Sequence, residues 1–499
     1  MLKNLIFLEI LIVVGSIIFH MASTRATRRD IGHLPGIILG SMAAIGFLAP
    51  KLIIAHIAIA LIPLLLGRTK LKVGMIMAMG LFAMPALPTD MVIGGVYLFQ
   101  WTMQSTLATS ALVAFLIAPG QIPRAPPWAD LAMFIVIAVL IVIDSRGGAW
   151  IGYLRSLAYY AFVYVIPVFV ITRSARNAIE MRTLLTAMAG MGAILAVVVL
   201  YEARSSWPLY SPIHAHFDFA VRVVVKWRGG LMRAYGPMGE ATQMGCVLVI
   251  CFAAALAARR SFVSNTAYIA IVSIIALGTL APQSRGGMIG IAVVFVISSF
   301  YRRGISGMGQ VAAAGALLVG TYVGSMLAGS LGSQISTSLS EAKTGDYRTN
   351  LLRRGLEEFW KSPILGDSFT NVLPRMQDLV QGEGLVDFVN TYLYFALFAG
   401  GIGLVLFCGS FILPMARLVQ IRRVLPPESA DRDVAGFCLA LLGSAAVMLA
   451  FTAYMQRPSI FFLIAASLAM MIRIPGRAVA KKPIDLRIRP SEDPDPIAA

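Results

Sequence analysis

The chain has 499 residues, 58% of them hydrophobic and only 13% charged, with a mean hydropathy of +0.80. Soluble proteins average about 25% charged residues, so the composition excludes a soluble globular enzyme and indicates a polytopic membrane protein. The net charge of +17 fits cationic loops held at an anionic cytoplasmic leaflet. No zinc-knuckle, RNP-like or basic-helix pattern makes nucleic acid a partner.

The first apolar run, Leu5 to Phe19, follows a single basic residue, and its basic cluster (Arg25, Arg28, Arg29) comes after it. That order is the reverse of a cleavable signal peptide and suits a retained anchor. Counting from that anchor, apolar runs long enough to span recur near 2–20, 34–50, 52–67, 73–88, 98–118, 129–144, 151–172, 183–201, 241–258, 266–281, 286–301, 309–331, 398–416, 434–455 and 459–473. The expected fold is therefore an all-α membrane helix bundle of about 13 to 15 spans. It divides into N-terminal membrane helices (1–128), a membrane core with two long loops (129–473) and a basic tail (474–499). The four cysteines (Cys246, Cys251, Cys408, Cys438) all lie in apolar segments and read as small buried hydrophobes.

Arg25/Arg28/Arg29, Arg68/Lys70/Lys72, Arg173/Arg176/Arg182, Arg259/Arg260, Arg302/Arg303 and Arg417/Arg422/Arg423 fall in alternate loops. The positive-inside rule places those loops in the cytoplasm. Lys51 and Arg146 are isolated exceptions. Two long loops are left on the periplasmic face, 202–240 and 332–397. They hold Arg204, Arg222, Lys226, Arg228 and Arg233, and then Arg348, Arg353, Arg354, Lys361 and Arg375. Topology gives a translocated loop no reason to carry cations, so as a group they point to a polyanionic ligand on the outer face.

In the first loop, Arg228 to Gly236 is glycine-rich and basic, and includes Arg233 and Tyr235. Glycines let backbone N–H groups approach phosphate oxygens, and arginine forks match them. The stretch lacks the GxxxxGK[ST] spacing of a nucleotide P-loop. Ser284-Arg285-Gly286-Gly287 adds one more arginine at the same boundary. His214 and His216 have no third ligand within reach, so no metal is expected. The two DxD triplets, at 431–433 and 493–495, sit in short cytoplasmic segments with no domain around them.

In the second loop, a helix over Asp346 to Pro363 puts Leu352, Leu356, Phe359 and Trp360 on one stripe, with Leu351 at its edge. Arg348 falls within that stripe and should face the protein or a cavity. Arg354 points the other way, as a solvated partner of Glu358. Farther on, helical spacing puts Asp387, Asn390, Thr391 and Tyr394 on one polar face that could line a cleft. The alternative is a helix cap and water-facing entry turn.

Arg233-Ala-Tyr-Gly before a span, then Ser284-Arg285-Gly286, then Arg348 leading through Phe359-Trp360-Lys361-Ser362-Pro363-Ile364-Leu365-Gly366 to Asn390-Thr391-Tyr392-Leu393 and Gly401-Ile402-Gly403, resemble the bacterial O-antigen ligase and Wzy-like polymerase superfamily. The order of spans and loops agrees from about Asp130 to Ala416. The resemblance implies a metal- and cofactor-independent membrane glycosyltransferase of GT-C-like type in the bacterial inner membrane. Its donor would be a glycan on undecaprenyl diphosphate, its acceptor a glycan or lipid, and other polysaccharide-assembly membrane proteins are possible partners. Arg233 and Arg285 would match the arginines that bind the diphosphate.

Many ligases carry a His immediately before the Asn of the third motif, and here that position is Val389. The departure favours a polymerase over a ligase and leaves the base to be chosen from the residues: Asp387, with His216 and Glu383 behind it. Arg228, Arg348, Asn390, Tyr394, Tyr235 and His216 are the candidate substrate-binding side chains. From another class, a transporter or flippase expects ionisable groups at mid-membrane. Few ionisable residues sit inside the runs: Glu9 and His56 are the clearest, with Arg155 near an edge. A non-enzymatic assembly scaffold is the remaining alternative.

Overall fold

A computed structural model describes the chain except 86, 88–89, 94–95, 147, 149, 218–224, 229, 305–333, 381–385, 455 and 473–499, with backbone only over 90–99, 334–346 and 456. The expected span at 309–331, the tail, Arg222 and Glu383 lie outside the described residues. What is described is a helical bundle with two small hairpins. Asp90–Ile93 pairs antiparallel with Val96–Gln100, and Trp227–Arg228 with Leu231–Met232. The all-α expectation made no allowance for either hairpin.

Among the described residues, six helices are long and apolar enough to cross a membrane, and six shorter apolar helices accompany them. Side chains such as Ile10, Val13, Ile53, Ile57, Leu65, Val405 and Leu413 stand exposed on the outside of the bundle. Lipid, not water, is the solvent that accepts such a surface.

The Ala178–Ser205 helix occupies the middle. It packs against Leu2–Ala22, Leu34–Leu48, Lys70–Ala83, Ala241–Ala257, Asn265–Leu280 and Ala430–Met448. Small residues permit this crowding: a Cβ on Gly278 would meet Ala196, and one on Gly15 would meet Ile194.

The basic loops identified from the sequence assemble at one end of the bundle. Arg260 pairs with Glu428 and Arg182 with Asp433. Thr24 N–H donates to Ser261, Arg432 to the carbonyl of Tyr301, and Arg417 to the carbonyl of Ile472. These guanidinium groups satisfy carbonyls that helix ends leave open. The helix Arg285–Arg303 measures the distance to the other end. At 1.5 Å per residue, Arg285 and Arg303 lie about 27 Å apart.

One helix is broken on purpose. Thr391–Ile421 contains Gly400 at φ 69°, outside helical geometry. The carbonyls of Pro363 and Ile364 accept from Gly401 and Ile402 N–H at 2.8 and 3.3 Å, and Asp367 N–H donates to Leu397 at 2.9 Å. Arg146, isolated in the sequence, donates to the carbonyls of Leu365 and Phe398 at 2.6 and 3.1 Å. The Ser362–Gly366 and Gly401–Gly403 motifs thus meet as backbone against backbone.

The Gln334–Phe359 helix corrects two expectations. Its inner face carries Leu351, Gly355 and Glu358, while Leu352, Leu356 and Trp360 are 46%, 47% and 72% exposed. Glu358 is buried against Lys361 and Arg375, and Arg354 pairs instead with Glu357 and Asp378. Arg348 lies three residues before Leu351 and so shares the inner face, as expected, though not with Leu352.

Candidate functional site

The turn between the Asn265–Leu280 and Arg285–Arg303 helices organises the site. Ser284 caps the second helix by accepting from Gly287 N–H at 3.3 Å, which starts the helix at Arg285. The preceding Gln283 is held at φ 50°, an uncommon conformation for a residue with a side chain. Its carbonyl accepts from Arg228 Nη1 at 2.7 Å, and the Pro282 carbonyl accepts from Arg233 Nε at 3.1 Å. One turn therefore anchors two arginines and launches a third.

Arg348 arrives from the Gln334–Phe359 helix. Its Nη2 lies 3.5 Å from the Phe451 carbonyl, while its Nε is buried without a hydrogen-bond partner. Burial, then repulsion from Arg285 and Arg228, holds its guanidinium below the ordinary arginine value, and Asp387 opposes the shift. Burial and Arg228 lower Arg233 in the same way, offset by Glu240. Four guanidinium groups thus come together around this turn, and repulsion among them acts on both Arg348 and Arg233. Like charges crowded in a partly buried place are costly unless an anion joins them.

The remaining parts hold this cluster in position. The Tyr347 hydroxyl accepts from Asp387 N–H at 3.0 Å and donates to its carbonyl at 2.9 Å, fixing Asp387 against the helix that carries Arg348. Glu202, fully buried, accepts from Leu209 N–H and Gly236 N–H, each at 2.9 Å. It clamps the chain three residues after Arg233. In the sequence Glu202 marks only a loop boundary. The structure places it inside a helix, and nothing in its sequence neighbours announces the clamp.

The cluster brings together Arg228, Arg233, Arg285, Arg348 and Asp387. The other expected residues go elsewhere. Tyr235 is 2% exposed and turned into the core beside Glu202. His216 bonds the Ala49 carbonyl through Nε2 at 2.8 Å and packs on Phe217. Asn390 caps the next helix, accepting from Tyr392 and Leu393 N–H at 3.0 and 3.2 Å. Because that helix begins at Thr391, the polar face expected for Asp387, Asn390, Thr391 and Tyr394 does not form. The buried Thr391 hydroxyl donates to the Thr452 carbonyl. Tyr394 turns instead into a neighbouring cavity among Phe369, Phe388 and Phe398.

Among the described residues, no group of three or more His, Cys, Asp or Glu side chains is arranged to share a metal ion. Searches against protein-family models and curated proteins find no match to the chain.

Proposed function

We propose that this chain is a membrane glycosyltransferase that polymerises undecaprenyl-diphosphate-linked oligosaccharide units at the periplasmic face of the bacterial inner membrane. The product would be an exopolysaccharide or an O antigen. The observation that carries this reading is the arginine cluster. Arg228, Arg233, Arg285 and Arg348 converge on one turn, at the end of the bundle opposite the basic loops. The positive-inside rule makes the basic end cytoplasmic and the cluster end periplasmic. A diphosphate matches such a group of arginines, because its two phosphates offer oxygens to several forks at once.

The chemistry follows from that placement. An acceptor hydroxyl oxygen forms a bond to the anomeric carbon, and the bond from that carbon to the diphosphate oxygen breaks. The electron pair leaves with the diphosphate, where prepositioned guanidinium groups stabilise the growing charge. The hydroxyl proton passes to a carboxylate, for which Asp387 is the candidate. A single displacement inverts the anomeric centre. The carrier stores the activation.

Val389, at the position where many ligases have His, favours polymerase over ligase. Purified protein is given carrier-linked repeat units with and without lipid A-core, and the products are sized. Ladders formed without core support the polymerase, whereas capped core alone means a ligase. In cells, Arg233→Ala and Arg285→Ala should leave the protein in the membrane and abolish long chains. Wild-type chain length in both variants would sink the proposal.

A further inference from the structure

A cavity of about 550 Å³ lies beside the arginine cluster, and no part of the transfer chemistry above uses it. Its volume falls within the roughly 300–1,000 Å³ of small-ligand sites. Asp144, at the end of the Leu131–Ser145 helix, opens into it, and Arg155 lines it as well. The rest of the wall is mainly aromatic, with Tyr160, Tyr164, Tyr394 and Tyr454 prominent.

The local fold presents these groups deliberately. The helix from Trp150 to Ser174 widens to a π-helical turn over Ala161–Val165 just before Pro167. Pro167 has no N–H to offer, and the Val163 carbonyl takes the Gln104 side-chain amide at 2.9 Å instead. π-turns are uncommon and concentrate at functional places. Here the turn carries Tyr164 and directly follows Tyr160, whose hydroxyl donates to Asp144 Oδ2. Tyr164 stacks on Tyr454 at 6.4 Å between ring centres.

The cavity and the cluster share two stretches of chain. Phe388 lines the cavity while its neighbour Asp387 attracts Arg348. Ala453 and Tyr454 line the cavity while the carbonyl of Phe451 faces Arg348. A ligand in the cavity therefore sits next to whatever anion the arginines hold.

The lining selects the ligand. A hydrocarbon chain would desolvate the Asp144 carboxylate and offer it no further donor. A phosphate would face one arginine and a repelling carboxylate. A sugar ring satisfies the whole wall: its hydroxyls donate to a carboxylate and accept from a guanidinium, and its C–H faces lie on tyrosine rings. We propose that this cavity binds a saccharide unit of the acceptor glycan, with Asp144, oriented by Tyr160, gripping its hydroxyls. The identity of the glycan as acceptor rests on the glycosyl-transfer reading above; the saccharide site itself does not.

Full-length protein in nanodiscs is titrated with two probes, inorganic pyrophosphate and the lipid-free oligosaccharide released by mild acid from the host's own surface polysaccharide. Asp144→Asn should weaken oligosaccharide binding at least tenfold, about 1.4 kcal/mol, and leave pyrophosphate binding unchanged. Arg285→Ala should do the reverse. If Asp144→Asn does not elute as a monodisperse species, Tyr160→Phe is judged by the same criterion. Oligosaccharide affinity that is unchanged in the variant, or absent in the wild type, overturns the saccharide site. Asp144-dependent oligosaccharide binding without any pyrophosphate binding would leave the saccharide site standing and remove the glycosyltransferase reading.

Discussion

The Tyr347 hydroxyl bridges both backbone polar groups of Asp387, accepting at 3.0 Å and donating at 2.9 Å. One side chain thereby ties the stretch that carries the candidate base to the helix that carries Arg348, forty residues away in sequence. Tyr347→Phe removes both bonds and leaves the ring. At about 1 kcal/mol each, the loss should loosen the Asp387 stretch and cut polymerisation by roughly tenfold. Thermal stability in detergent should change little. Product ladders at fixed protein concentration, read beside a melting curve, check this.

Arg348 offers an opposite pair of effects. Burial and repulsion from Arg285 and Arg228 act against its charge, with Asp387 opposing them. Arg348→Met should therefore leave the melting temperature of the ligand-free protein unchanged or raise it, while abolishing chain growth. Arg354→Ala is the contrast. Its pairs with Glu357 and Asp378 are on the surface, where such bridges contribute about 0–1 kcal/mol, so both stability and chain length should persist.

Glu202 holds two backbone N–H groups in a fully buried place. Glu202→Ala leaves both donors unsatisfied, at about 1–3 kcal/mol each. Glu202→Gln keeps one acceptor and turns an amide N–H toward the second donor, so its cost should be intermediate. Both should weaken pyrophosphate binding, because the chain they release leads back to Arg233. Melting curves with and without pyrophosphate separate the two effects.

Gly366 and Gly400 lie back to back, with φ of 72° and 69°. A Cβ on Gly366 would stand 2.6 Å from the Leu397 carbonyl, and one on Gly400 would collide with the Ile364 carbonyl. Left-handed geometry alone costs about 1–2 kcal/mol for alanine, and the collision adds to it. Gly366→Ala and Gly400→Ala should lower the melting temperature markedly. Gly409→Ala, in the same helix with open space around it, should be neutral or slightly stabilising.

Asp367 links this junction to pH. Hydrogen bonds from Asn371 and Ser368, with Arg375 nearby, outweigh burial and hold its carboxyl below the ordinary aspartate value. A depressed carboxylate contributes stability that is present above the unfolded value of about 3.9 and is lost as pH falls through the folded one. Protection from hydrogen exchange over 363–375, taken relative to the intrinsic rate at each pH, should therefore be flat from pH 7 to 5 and fall below about pH 4. Asp367→Asn should remove that acid sensitivity.

Length and apolarity are local properties, and most helices were legible from them. The run expected at 241–258 is a helix over Ala241–Ala257, and the run at 266–281 is one over Asn265–Leu280. The alternation of basic loops was equally legible, because charge is excluded from apolar runs wherever they pack. Arg228, Arg233 and Arg348 were named from the sequence as cations in long loops with no topological reason to hold them, and Arg285 from the short Ser284–Gly287 turn at the same boundary.

The stripe of the Gln334–Phe359 helix was misread because the pattern rule assumes water outside and apolar packing inside. Here Leu352, Leu356 and Trp360 face outward, while Glu358 is buried with its own cationic partners. Asn390 and Tyr394 were separated from Asp387 by the place where a helix starts, which the Asn390 cap decides. Asp144 and Glu202 carried no sequence signal at all. Composition and spacing determined that the chain is a helical membrane protein with unexplained cations in its long loops. Only the tertiary structure decided which arginines meet, what clamps them and what cavity lies beside them, since those contacts join residues that are far apart along the chain.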